Sequence, residues 1–238
     1  MQVIPVLDLM GGSVVRARRG ERASYRPIET PLARGSDPLD VARGLLLRVA
    51  EFDRLYVADL DAIERKGDHR SVLQRLKSEL AVELWVDSGI ADLAAATRWL
   101  ESGVGSLVLG SEAQSDAALV RRLRDDRRVV LSLDFRGEHF LGPAALLSDP
   151  EAWPDRVIIM TLAQVGRGAG PDFARIAAIR GLAVHTQLYA AGGVRGADDL
   201  VKLARLGVTG ALVASCLHDG ALTADEIAAL RSTCMHAS

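Results

Sequence analysis

The chain is predicted to be an α/β protein folded as a closed (βα)8 TIM barrel, on three observations. Short β-rich runs alternate with amphipathic helical patterns at a spacing of roughly 25–30 residues. Several of the runs are continuous Val/Ile/Leu stretches, as required of parallel strands covered on both faces. Finally, segments of the first half recur in order in the second. An open doubly wound sheet is the alternative, and it is disfavoured because no G-x-G-x-x-G follows the first strand.

Eight strands are expected at residues 3–9, 55–60, 82–86, 106–109, 129–135, 157–162, 186–190 and 210–213. Helical patterns fall between them at 38–50, 70–80, 92–102, 116–124, 171–179 and 197–206, and one more follows at 222–230. The 238 residues are read as one domain, since barrels of this class use that length as a single unit.

Two aspartates end two matching strands. Asp8 closes Ile4-Pro5-Val6-Leu7 and Asp134 closes Val130-Leu131-Ser132-Leu133, 126 residues apart (134 − 8), with Gly11 overlaying Gly137. Asp53 to Leu60 overlays Asp155 to Leu162, which sets Thr161 opposite Asp59. Leu84 to Ser111 overlays Leu188 to Ser215, aligning Gly89 with Gly193 and Ser111 with Ser215. Repetition at successive strand ends is read as two half-barrels, about 1–126 and 127–238.

In such a barrel the C-terminal strand ends share one face, where the loops build the site. A carboxylate at the end of a buried strand is costly for stability and useful as an acid or base. Asp8 and Asp134 are therefore the expected catalytic pair, with loop capping as the alternative. Gly192 and Gly193 follow the seventh strand and precede a helix, so their backbone N–H groups and the helix N-terminus can receive an anion. A plain strand-to-helix turn is the competing reading. Ser215, after the eighth strand, could add a hydroxyl donor.

Charge and composition exclude several classes. A net charge of −2 and a pI near 6.2 give no general attraction to nucleic acid or to an anionic membrane. The arginine-rich run at 121–128 carries its own aspartates and no aromatics, so it reads as a solvated helix end. No apolar stretch reaches the ~18 residues of a membrane span. No leader pattern is visible, and the two cysteines, Cys216 and Cys234, have no metal spacing, which favours a reducing cytoplasm. The five histidines are scattered, so no metal site is expected.

The segments Ile4-Pro5-Val6-Leu7-Asp8-Leu9-Met10-Gly11-Gly12-Ser13-Val14-Val15-Arg16, Asp37-Pro38-Leu39, Val57-Ala58-Asp59-Leu60-Asp61, Leu109-Gly110-Ser111, Leu131-Ser132-Leu133-Asp134 and Ala191-Gly192-Gly193-Val194 carry a resemblance to a known family. The chain resembles the HisA/HisF-like barrels of histidine biosynthesis, phosphoribosylformimino-AICAR-ribotide isomerase and its cyclase relative, over nearly its whole length. The resemblance implies a cofactor-free, metal-free Amadori rearrangement of a small phosphorylated metabolite. It assigns Asp8 as general base and Asp134 as general acid. It also implies phosphate binding near Gly89, Gly110 and Ser111, and near Gly192, Gly193 and Ser215.

The chain departs from that pattern at several places. Asp87-Ser88-Gly89 stands where the family has three glycines, and Ala214-Ser215 replaces a Gly-Arg pair. The loop after strand five, with Phe140-Leu141-Gly142-Pro143, lacks a tryptophan, and the loop after strand six reads Gln164-Val165-Gly166-Arg167-Gly168-Ala169-Gly170. Asp59, Asp87 and Thr161 are further candidates for substrate contact. These changes suggest a divergent paralogue with a different substrate. The Asp-Ser-Gly-Ile form resembles a group linked to tetrahydromethanopterin or methanofuran one-carbon metabolism; a catalytically decayed, ligand-binding barrel is the other alternative. Residues 10–37 form a long first loop holding Arg16, Arg18, Arg19, Arg22, Arg26 and Arg34, which can close over a substrate. Arg16 is the preferred phosphate contact, because it lies in the family-like segment. The oligomeric state is left open by the sequence.

Overall fold

A computed structural model describes residues 1–17, 21–162 and 170–235, the last four without their side chains. Eight parallel strands form the barrel: β1 (Gln2–Met10), β2 (Arg54–Asp59), β3 (Glu83–Asp87), β4 (Ser106–Gly110), β5 (Val129–Arg136), β6 (Arg156–Thr161), β7 (Gln187–Ala191) and β8 (Gly210–Val213). The barrel closes where β1 pairs with β8, Gln2 opposite Gly210 and Pro5 opposite Val213. On its other edge β1 pairs with β2, Val6 opposite Tyr56.

The period of two divides each strand between two cores. Leu7, Val57, Leu84, Leu107, Leu131, Val157, Leu188 and Ala211 face outward into the layer beneath the helices. Ile4, Tyr56, Trp85, Val108, Val130, Ile158, Tyr189 and Leu212 fill the lumen. Both faces are dry, which explains the continuous apolar runs of the sequence.

The helices covering the barrel are α1 (Pro38–Arg48), α2 (Arg70–Glu79), α3 (Leu93–Ser102), α4 (Ala118–Leu123), α5 (Ala144–Ser148), α6 (Phe173–Leu182), α7 (Ala197–Arg205) and α8 (Ala224–Met235). Local chemistry sets their ends. Asp37 caps α1 by accepting from the Leu39 and Asp40 N–H groups, and Asp92 caps α3 through Ala95 N–H. Gly103, at φ 65°, ends α3 in the left-handed conformation. Helix α5 was not expected from the sequence; five residues are too few to display a helical period.

A second difference concerns the first loop. Ser13–Arg16 turns back antiparallel onto β1, and Arg26–Pro27 adds to it. Gly11 and Gly12 make this turn with φ of 57° and 79°, a Gly-Gly hairpin corner. A smaller hairpin, His139–Phe140 against β5, follows Gly137.

The N-terminal end of the lumen is closed by a polar floor. Glu83 accepts from Arg54 and Arg156 at 2.9 Å each and from the Ser106 hydroxyl at 2.6 Å. Burial opposes the charge on Glu83, but the Ser106 and Arg156 hydrogen bonds hold its pKa down to about 2. Above the floor, Trp85 meets Tyr189 edge-on at 4.9 Å, with both guanidinium groups over its ring. The lumen is therefore filled below and open only at the C-terminal face.

Candidate active site

A cavity of about 800 Å³ occupies that open face. Asp8, Asp87 and Asp134 line it together. Each lies on the inward-facing register of its strand, with Ile4, Trp85 and Val130 respectively.

The three carboxylates have different surroundings. Asp8 is enclosed by the barrel wall but open to the cavity, and among the described residues nothing hydrogen-bonds its carboxylate. Burial pushes its pKa up to about 7, against the pull of nearby Arg22. Asp134 is 5% exposed and held rigidly. It accepts from the Ser132 hydroxyl at 2.7 Å, the Ser111 hydroxyl at 3.1 Å and the Glu112 N–H at 3.3 Å. Burial and the neighbouring Asp87 charge still push it up to about 7, against the Ser132 hydrogen bond. Asp87 is raised to about 6, mainly by burial, while the Gly89 N–H at 3.0 Å works the other way.

Arg22, one of the loop arginines expected to reach a substrate, and Tyr56, which carries no expectation from the sequence, complete this end. Arg22, in a short 3-10 turn of the first loop, pairs with Glu112 at 2.7 Å and lies 3.8 Å from Glu64. Tyr56 is 3% exposed and lines the cavity, its phenol raised well above 10 by burial and by the Asp87 and Asp134 charges. An alternation count would have put Tyr56 in the lumen. The Arg22–Glu112 pair spans 90 residues and has no local signal.

Several of the expected phosphate contacts on this side have other partners in the structure. A methyl group on Gly110 would lie 3.1 Å from Asp87 Oδ2 and 3.5 Å from Asp134 Oδ2, so Gly110 separates two carboxylates and offers no place for an anion. Ser111 is fully buried, with its hydroxyl 2.7 Å from the Leu141 carbonyl and engaged with Asp134. Gly89 sits at φ 66° against Ile63 outside the cavity lining, its N–H spent on Asp87. Asp59 and Thr161 also lie outside the lining, because both fall on the outward register. Asp59 instead binds the Ala62 N–H, the His69 N–H and the His69 ring. Thr161 is buried with its carbonyl against Gly192.

The opposite end of the cavity is built by β7, β8 and the first hairpin. Gly192 and Gly193 line it at φ 103° and 84°. A Cβ on Gly192 would come within 2.5 Å of the Thr161 carbonyl, so only glycine fits. Ser215 lines the same end, and α7 begins close by at Ala197. Arg16 reaches this region and pairs with Asp219 at 3.0 Å. Arg195, not singled out from the sequence, stands beside it and is held by Asp199 at 2.7 and 2.9 Å. The glycine end thus has two guanidinium groups near it, each already paired with a carboxylate. The loop at 163–169 and the loop arginines Arg18 and Arg19 lie outside the described residues.

Among the described residues, no cluster of three or more His, Cys, Asp or Glu is arranged to hold a metal ion. No helix among them is long and apolar enough to cross a membrane. Cys216 is buried, its thiol pushed up to about 12 by burial, which leaves it inert as a nucleophile.

Residues 2–223 match the family model described as histidine biosynthesis protein. The chain is 31% identical over 235 residues to the Deinococcus radiodurans 1-(5-phosphoribosyl)-5-((5-phosphoribosylamino)methylideneamino) imidazole-4-carboxamide isomerase, covering 93% of this chain and 95% of that one. It is 29% identical over 240 residues to the Thermus thermophilus enzyme of the same name, covering 95% and 98%. An uncharacterized protein of Methanocaldococcus jannaschii is 28% identical over 235 residues, covering 95% and 97%. With an eight-stranded barrel, a cavity at the strand ends and a match along most of its length, the chain belongs to the histidine biosynthesis protein family.

Proposed function

We propose that this barrel is an isomerase that converts a phosphorylated aminoaldose, or a similar small phosphometabolite, into the corresponding ketose by proton transfer between Asp8 and Asp134. The observation that carries this reading is that both carboxyl groups line one cavity in contrasting surroundings. Burial raises the Asp8 carboxyl, and the nearby Arg22 charge opposes it, favouring the ionised form of a base. Asp134 has Asp87 and Glu112 as neighbours, whose charges favour the protonated form of an acid.

The reaction needs little else. Protonation of the ring oxygen by Asp134 opens the sugar to an iminium. Removal of the C2 proton by Asp8 gives an enolamine, which tautomerises to the aminoketose with no net change in atoms or electrons. Each such proton transfer contributes about 10²–10⁴ in rate. The phosphate would rest on the Gly192 and Gly193 N–H groups, with the N-terminus of α7, Arg16, Arg195 and the Ser215 hydroxyl beside it.

Incubation with an N-substituted aminoaldose phosphate in D2O tests the base directly. C2 becomes the carbonyl carbon, so deuterium should enter C1 of the ketose formed by the parent, with no labelled ketose from Asp8→Asn; equal incorporation at C1 in both would refute the assignment.

A second reading concerns the substrate. The isomerases named above act on a compound with two phosphoribosyl groups in its name, whereas Asp87 and the carboxylates around Gly110 oppose a second phosphate here. This favours a paralogue with another reactant, and the one-carbon cofactor link belongs to this reading. Expression in a histidine-requiring strain lacking the isomerase separates the two: growth supports the histidine pathway, and its absence with folded protein supports the divergent substrate.

A further inference from the structure

We infer that the end of the cavity formed by Asp87, Glu112, Asp134 and Tyr56 is a subsite for a protonated amine, so that the ligand is a zwitterion, anionic at the Gly192–Gly193 end and cationic at the other. The inference rests on the proposed function only in taking the glycine end as the anion site.

Charge sets the sign of this end. Among the described residues, six carboxylates and four guanidinium groups line the cavity. At the glycine end the acids are already matched, Asp219 by Arg16 and Asp199 by Arg195. Toward β3 and β4 the excess is unmatched. Asp87 and Asp134 both lie against Gly110, and among the described residues the guanidinium that bears on Asp87 is that of Arg22, drawn to Glu112 at 2.7 Å. A phosphate placed there would meet carboxylate oxygens, whereas an ammonium would meet acceptors on several sides.

Tyr56 is the independent sign that something binds. Its side chain is 97% buried, its ring stands in the lumen, and it lines the cavity, yet its hydroxyl has no hydrogen-bond partner among the described residues. The phenol is thus unpartnered among those residues and presented to the cavity, where a ligand can reach it. Facing the cavity that these carboxylates line, its oxygen can accept from an N–H donor of a ligand. The same carboxylates are not arranged as a metal-ligand group. Three N–H donors of an ammonium suit dispersed acceptors better than an ion that demands a tight shell.

The test is calorimetric binding of three ligand series of graded chain length: ω-aminoalkyl phosphates, n-alkyl phosphates and alkane bisphosphates. At the best length the aminoalkyl phosphate should bind about tenfold tighter than its alkyl match, a difference of about 1.4 kcal/mol, and the bisphosphate should bind weakest. Asp87→Asn keeps the oxygen that accepts from Gly89 N–H, so it should fold; it should remove most of the amine advantage and raise bisphosphate affinity. Glu112→Gln, at the rim, should reduce the advantage less. The inference is overturned by bisphosphates binding as tightly as aminoalkyl phosphates, by an advantage unchanged in both variants, or by no aminoalkyl phosphate binding at any length. None of these readouts needs turnover, so the subsite can fail while Asp8 and Asp134 prove essential, and the reverse.

Discussion

Arg22 and Glu112 meet at 2.7 Å across the mouth of the barrel, joining the loop after β1 to the turn after β4. The pair connects the structural and chemical roles of the first loop. Arg22 helps hold that loop over the cavity, and its charge favours ionisation of Asp8 and Asp87.

Replacing Arg22 should therefore act on pH dependence more than on stability. In Arg22→Met the Asp8 carboxyl loses a neighbouring cation, so its pKa should rise above about 7. The rising limb of the pH–rate profile should move to higher pH, with activity partly restored in mild alkali. A half-exposed ion pair contributes only about 0–1 kcal/mol, so the melting temperature should change little. An unchanged profile would separate Arg22 from the base.

Asp8→Asn and Asp134→Asn should each reduce turnover by about 10²–10⁴ while leaving the circular dichroism spectrum intact. The two should differ in cause. Asn at position 8 removes a group with no hydrogen bonds among the described residues. Asn at position 134 also disturbs the Ser132, Ser111 and Glu112 contacts. Full activity in either variant would remove that residue from the mechanism.

Asp87→Asn should stabilise the protein at high pH. The Asp87 carboxyl is raised from 3.8 to about 6 in the fold, so the native state binds this proton more tightly than the unfolded chain. Its contribution is most favourable below about pH 4 and is lost as pH rises toward 6 and beyond. At pH 8 the variant should exceed the parent by about 1–3 kcal/mol, and the gap should close near pH 4. Denaturant titrations at both pH values would show it; a less stable variant at pH 8 would contradict the burial argument.

Inorganic phosphate soaked into crystals should occupy the Gly192–Gly193 end before any position near Asp87. Gly192→Ala should abolish that occupancy, because the new Cβ would fall within 2.5 Å of the Thr161 carbonyl and force the turn open. Phosphate density beside Asp87 with an empty glycine end would reverse the charge assignment.

The barrel was readable because each strand carries apolar residues on both faces, from Leu7 and Ile4 on β1 to Val213 and Leu212 on β8. That same feature hid part of the site. With both faces apolar, no polar alternation showed that Asp8, Asp87 and Asp134 point into the lumen while Asp59 and Thr161 point out. The hairpin at Gly11 and Gly12 lies inside the span 10–37 expected as one long loop. Arg22–Glu112 and Arg195–Asp199 depend on side-chain placement across the fold or within a turn, which spacing alone does not convey.

The floor of the barrel separates cohesion from chemistry. Glu83, bridged by Arg54 and Arg156 beneath the Trp85 ring, anchors three strands at the pole opposite the cavity. Substitutions at the open pole leave that clamp untouched. A barrel built this way can therefore trade one reactant for another by rewriting a few rim side chains, without first acquiring a sturdier scaffold.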